Sequence, residues 1–333
     1  MPTIDVFTHV LPTRTMAAME KLGTGFGTMG SRIAAMRMLH DLESRFRVMD
    51  EFGDYQQIIS LSSPPIEEVA NAEDGGRIAV IANDEMAELV ARHPTRFPGF
   101  VASVCLLDPD QGLKEGERAL GELGAVGLQL FTDVGGRPLD HASFDGVFEL
   151  AWKSGVPIWL HPTRPPSIPD FAAEEHSHFD MSQILGWPYA TAVTMMRLVL
   201  TGLFDRFPGI RIITHHLGGM IPFHAVRAER GLLRESMNRS DTGPEARTQR
   251  LRRPPLQYLK QFYADTAMHG ADAAVRCGLE FFGENRVLFA TDHPFGTIQT
   301  GIDMIPRLAL SPSGEAKLRH ENIERLVGGK LKG

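Results

Sequence analysis

Side chains able to hold a cation stand at the ends of successive apolar runs. His9 closes Asp5-Val6-Phe7-Thr8-His9, His161 closes PIWLH, and His215 and His216 follow RIIT. Asp265 closes FYAD, and Asp292 follows VLFAT. One histidine behind a strand is ordinarily a structural residue. Histidines and an aspartate converging on one rim are the imidazole and carboxylate donors that Zn²⁺ or a similar divalent ion requires. A histidine left over would serve proton transfer near neutral pH.

The runs that carry these residues belong to a regular series. Strands are expected at 3–6, 57–61, 99–104, 126–130, 157–160, 211–214, 262–264 and 287–290. Helical periodicity lies between them, at 84–92, 113–123, 144–153, 191–206, 223–237, 271–282 and 316–326. Strand and helix in alternation imply crossover connections and a parallel sheet. Eight such units fit a (β/α)₈ barrel better than an open doubly wound sheet. In such a barrel the residues at strand C-termini share one face, where the site is built. The chain has 333 residues, enough for two domains at about 150 each. Barrels run to about 250 residues or more as one unit, so a single barrel domain over 1–333 is expected. Connections at about 11–40, 162–190 and 238–256 are too long for turns and read as lids over the substrate.

Composition removes several classes of function. An apolar fraction of 43% excludes a disordered chain. A net charge of −7, from 34 basic and 41 acidic residues, argues against a nucleic-acid binder. Neither a GxGxxG after the first strand nor a GxxxxGK[ST] occurs, so nucleotide fingerprints are missing. Cys105 and Cys277 alone make no disulfide framework and point to a reducing compartment. The start, MPTIDVFTHVLP, lacks a secretory signal pattern, and no run has the roughly 20 apolar residues of a membrane helix. A cytoplasmic protein is expected.

Several long segments resemble the amidohydrolase-related decarboxylases, the group of aminocarboxymuconate-semialdehyde and γ-resorcylate decarboxylases. They are IDVFTHVLP, NDEMAELVARHPTRFPGFVASVCLLDP, GVPIWLHP, LTGLFDRFPGIRIITHHLGGMIPF, QFYADT and ENRVLFATDHPF, in that order along nearly the whole chain. The resemblance implies a distorted TIM barrel of the amidohydrolase type. It implies His9, His161 and Asp292 as ligands of a divalent metal, zinc or else manganese. His216, in H-x-G-G, would be the general acid/base acting with Asp292 on metal-bound water or substrate. His215 should point away and be structural, because side chains alternate along a strand. Arg227 matches an arginine that some dimers of the family lend to the neighbouring subunit's carboxylate site, and a solvated helix arginine is the other reading. A homodimer acting on a small-molecule carboxylic acid follows from the resemblance.

One position departs from the family. Its members begin His-x-His or Glu-x-His, two side chains on one face of a strand; here Phe7 occupies the first place. A phenyl ring coordinates nothing, so three protein ligands and an open position remain. That number suffices for catalytic zinc, and Phe7 becomes a candidate substrate contact. Asp265 could orient a ligand, position substrate or cap its strand. His293, beside Asp292, is expected to line the pocket. His176 and His178, in a long loop, are a candidate replacement source for the missing ligand, and a solvated lid is the preferred reading. Arg14, Arg32 and Arg37 are candidates for a bidentate grip on a substrate carboxylate, whereas Arg45 and Arg47 read as structural. The leading function is non-oxidative decarboxylation by a carbon–carbon lyase. The alternative is hydrolysis of a lactone or amide, with or without metal. A binding protein that lost its chemistry would have no need of His9, His161, His216 and Asp292 together.

Overall fold

All eight expected runs become neighbouring parallel strands. The computed structural model describes residues 1–23, 26, 30–235 and 251–332. The strands are β1 (Thr3–Val10), β2 (Tyr55–Leu61), β3 (Gly99–Ser103), β4 (Gly127–Phe131), β5 (Ile158–His161), β6 (Ile212–Thr214), β7 (Tyr263–Asp265) and β8 (Val287–Leu288). Each lies beside the next in chain order. The segment after β8 returns to β1: Val6 N donates to Phe289 O at 3.0 Å, and His9 N to His293 O at 2.8 Å. The sheet therefore curls into a nearly closed barrel.

Alternation along the strands divides the apolar residues into two shells. Ile58, Val101, Trp159, Ile213 and Leu288 fill the barrel interior. Their strand neighbours, including Ile59, Phe100, Ile158 and Ile212, pack outward among the helices. The Trp159 indole is fully buried and donates to Val6 O at 2.8 Å, which satisfies its one polar atom. In β1 the register passes from Asp5↔Gln57 to Thr8↔Ile59, three residues against two. This bulge lets Val6 and Phe7 both face the interior cluster.

Helix bounds differ from expectation where caps act. The helix expected at 84–92 begins at Ala72, because the Asn71 side chain accepts from Asp74 N at 3.0 Å. The one expected at 113–123 is Pro109–Gly121, started by Asp108 and a proline in its first turn. The expected 191–206 helix is two, Gly186–Leu200 and Leu203–Arg206, parted by Gly202 at φ 74°. The connection at 11–40 is not a bare loop: it carries helices Thr13–Glu20 and Gly30–Ala35. A helix at Ile298–Arg307 follows β8 and was not expected. Part of that first connection, and 238–250 of the third, lie outside the described residues. Among those described, no helix is long and apolar enough to cross a membrane.

Candidate active site

The C-terminal ends of β1, β5, β6 and β8 bring His9, His161, His215 and Asp292 together. Hydrogen bonds behind the imidazoles fix their tautomers. Ser60, paired with His9 in register, spends its hydroxyl proton on Thr8 O at 3.0 Å. Its oxygen therefore accepts from His9 Nδ1, 3.2 Å away. His161 Nδ1 donates to Pro162 O at 2.7 Å, and His215 Nδ1 to Asp265 Oδ2 at 2.6 Å. In its neutral form each ring is thus left with a bare Nε2 lone pair.

Those lone pairs converge. One ligating atom from each of His9, His161 and His215 lies within 4.8 Å of the others, and the same holds for His215, His216 and Asp292. Asp292 Oδ1 is 3.0 Å from His9 Nε2 and 3.4 Å from His215 Nε2. The Nε2 atoms of His9 and His215 are buried and find no hydrogen-bond partner among the described residues. Acceptors facing a carboxylate with no donor among them repel unless a cation or proton sits between. Imidazole nitrogens and one carboxylate oxygen are a donor set that suits a divalent ion. The residues present therefore fit the metal that the sequence pattern implies.

Burial and charge pull the titrations apart. Burial would raise Asp292, but the adjacent imidazoles of His215 and His9 hold it well below the usual carboxylate range. Burial would lower His215, but Asp265 and then Asp292 lift it to about 9. His161, buried beside His215 and His9, falls well below the ordinary histidine value. Burial, followed by the charge of His215, brings His216 to about 4.

Above this cluster opens a cavity of about 600 Å³. His161, His216 and Asp292 form its polar floor. Met36, Trp187, Met268 and Phe295 supply apolar walls, and Arg32, Ser63, Gln183 and His269 add polar groups. His216 Nδ1 donates to Ala267 O at 2.6 Å, so its other nitrogen is the free acceptor.

Several expectations need correction. His215 does not point away: β6 ends at Thr214, so alternation stops, and His216 adopts φ 52°. The two rings stack at 3.7 Å as a result. Phe7 does not line the cavity; it is wholly buried below it, stacked on His215 at 4.0 Å. Asp265 is equally buried and touches His215 and backbone N–H groups rather than the cavity. His293 is buried outside the cavity with neither ring nitrogen hydrogen-bonded, and burial followed by the charge of Arg45 depresses it to about 2. Arg227 is exposed and does not line this chain's own cavity, which agrees with both of its readings. His176 and His178 are exposed and stack on each other, which agrees with the solvated reading and not with a replacement ligand.

The three candidate arginines separate cleanly. Arg14 pairs with Glu85 and Glu88, and Arg37 with Asp41. Arg32 alone of the three lines the cavity. Arg45 is buried, donating to Gln57 Oε1 at 2.7 Å and to His9 O at 2.6 Å, and so fixes the backbone of His9. Sequence reading missed Ser60, Trp187, His269 and Phe295. His269 and Phe295 carried a signal, since each follows a strand end by a few residues. Ser60 and Trp187 carried none without register and lid position.

Comparison with known proteins adds an independent line. A family described as amidohydrolase matches residues 4–329. The γ-resorcylate decarboxylase of Polaromonas sp. is 31% identical over 301 residues, 87% of this chain and 88% of that protein. The crystal structure of 5-carboxyvanillate decarboxylase from Sphingomonas paucimobilis superposes with a TM-score of 0.86 at 27% identity, over 98% of this chain and 99% of that one. A dihydroxybenzoic acid decarboxylase from Polaromonas sp., solved with manganese and the inhibitor 2-nitroresorcinol, gives 0.80 at 27% identity, over 98% and 97%.

Proposed function

Since this chain belongs to the amidohydrolase family, we propose that it is a metal-dependent, non-oxidative decarboxylase of an aromatic carboxylic acid. The observation that carries the reading is the pair of overlapping acceptor groups, His9 with His161 and His215, and His215 with His216 and Asp292, beside an aromatic-walled cavity. Decarboxylation breaks the bond between the ring and the carboxylate, releases CO₂, and leaves the electron pair on a ring carbon. That carbon then takes a proton. The site has to hold the ring, draw electron density toward a substrate oxygen, and deliver the proton.

This chain's residues divide those tasks. Trp187, Phe295, Met36 and Met268 give a flat ring apolar contact and exclude water. Arg32 stands in the cavity wall as the group for a substrate carboxylate or phenolate. His216, neutral in the free site, gains a proton on its free nitrogen when an anion docks beside it, and passes that proton to the carbon. Asp292 stays ionised, anchoring the cluster on the cavity side. A divalent ion held by His9, His161 and Asp292 would supply positive charge to the substrate oxygen as charge builds. An imidazole-rich donor set favours zinc for that ion, with manganese the second candidate. Hydrolysis is set aside, because the relatives described above are decarboxylases.

The assembly we assign is a homodimer in which Arg227 serves the neighbouring cavity. Its support is that Arg227 is exposed, and that Phe223 and Val226 on the same helix are exposed at 80% and 57%. We also read the chain as one barrel domain, lidded by the connections after β1 and β5, that works in the cytoplasm on a small carboxylic acid. The test is incubation of metal-loaded protein with a panel of hydroxybenzoates, following CO₂ and the decarboxylated phenol. Release of both in equal amounts is expected. Cleavage of lactones or amides without CO₂ would overturn the reading.

A further inference from the structure

We infer that His215 is itself a ligand of the divalent ion, taking the coordination position that Phe7 leaves open on β1. The inference rests on the metal-dependent reading above and concerns which side chains make the site. It starts from the placement of the phenyl ring. Phe7 does not project into the cluster as a substitute contact; its ring lies parallel to His215, 4.0 Å away with 23° between planes. His216 covers the opposite side of the same imidazole at 3.7 Å and 28°. His215 is therefore clamped between two rings, which fixes its plane and leaves rotation about that plane to its hydrogen bond.

That hydrogen bond is also fixed. Nδ1 donates to Asp265 Oδ2 at 2.6 Å, and Asp265 Oδ1 is held by Ala267 N at 3.0 Å and His216 N at 3.1 Å. A carboxylate locked behind one imidazole nitrogen is the usual support for a histidine that ligates through the other. Nε2 is then aimed at the cluster, 3.4 Å from Asp292 Oδ1, and it finds no hydrogen-bond partner among the described residues. Two ligands held at about 2.0–2.1 Å by a tetrahedral ion are about 3.3 Å apart, so this spacing needs no rearrangement. A role in carrying protons to substrate fits less well. His215 is wholly buried and absent from the cavity walls, whereas His216 lines them. Nε2 of His215 faces Asp292 Oδ1 and lies in one group with the acceptors of His9 and His161.

On this account the sequence has moved a ligand from the first strand to the end of the sixth. The set becomes His9, His161, His215 and Asp292, three neutral imidazoles and one carboxylate. Such a set prefers zinc over manganese more strongly than one with a second carboxylate.

The deciding experiment uses the full chain, stripped with chelator and reloaded with Co²⁺ or Zn²⁺ alone. Proton NMR of the Co²⁺ protein counts shifted, exchangeable ring N–H signals, one for each imidazole that ligates through Nε2. Three are expected; two would overturn the proposal with no variant needed. Zn²⁺ affinity, read by competition with a chromophoric chelator, is expected to drop by more than about 100-fold in His215→Phe, beyond the loss typical of an outer-shell change. Phe7→His in that background is expected to recover most of it. A folded His215→Phe protein that binds Zn²⁺ within about threefold of wild type, with unchanged cobalt absorption, would sink the inference while leaving the metal reading intact. If the wild type takes up neither ion, the metal-dependent reading falls first and this inference with it.

Discussion

Single side chains decide whether the cluster works. Replacing Asp292 by Asn removes the one carboxylate among the imidazoles, and Asn cannot supply the charge that the ion needs. Turnover should fall below detection, and near-wild-type CO₂ release from Asp292→Asn would refute the site. His216→Ala addresses proton delivery instead: kcat should fall about 10²–10⁴-fold, as for a lost general acid, with metal content by elemental analysis unchanged. Phe7→His asks whether β1 still has room for a second ligand. With His215 in that position, no gain in Zn²⁺ affinity is the expected result, and tighter binding would show the position still open. The residue whose placement sequence reading got wrong, His215, shows where a local rule ends. Alternation holds within a strand, and β6 stops at Thr214.

At the scale of elements, the barrel seam and the lid each offer a test. Asp5 on β1 ties the seam to the site. It accepts from Tyr55 Oη at 2.5 Å and from Thr291 N at 3.1 Å, and also from the Thr291 hydroxyl. Burial outweighs these bonds and lifts its pKa from 3.8 to about 7. Between those values the folded protein binds more protons than the unfolded one, so stability falls as pH rises through that window. Urea unfolding at pH 5 and 7.5 should therefore show a drop that Asp5→Asn lacks. The same variant should lose about 1–3 kcal/mol at pH 5, where an amide N–H₂ meets donors that want an acceptor. A parallel pH response in both proteins would count against this account. In the lid, Arg32 of helix Gly30–Ala35 pairs with Asp180 of the β5 connection at 2.9 Å. Both side chains are about half exposed or more, so the pair contributes little to stability. Arg32→Ala should raise KM with little change in thermal midpoint, and Arg32→Lys should recover part of the affinity.

For the whole molecule, the dimer carries a prediction of its own. If Arg227 acts in the neighbour's cavity, Arg227→Ala and Asp292→Asn proteins should each be inactive alone. Mixed and reassembled, they should recover about a quarter of wild-type sites, because half the dimers are hybrids with one intact site each. Sedimentation as a monomer, or no recovery on mixing, would exclude the arrangement.

Sequence alone determined the barrel and much of its rim. Eight apolar runs separated by helical stretches admit few topologies, and His9, His161 and Asp292 each stand directly behind a run. Those features are local, so period and spacing reveal them. Tertiary structure decided what depends on distant neighbours. Ser60 fixes the His9 tautomer only because register sets the two side by side. Arg32 is chosen over Arg14 and Arg37 because the fold brings it, alone of the three, to the cavity wall. Phe7 proves to be a platform for His215 because the β1 bulge and the end of β6 bring their rings together. Contacts between residues some two hundred positions apart have no period to read, and they depend on how the strands close around one another.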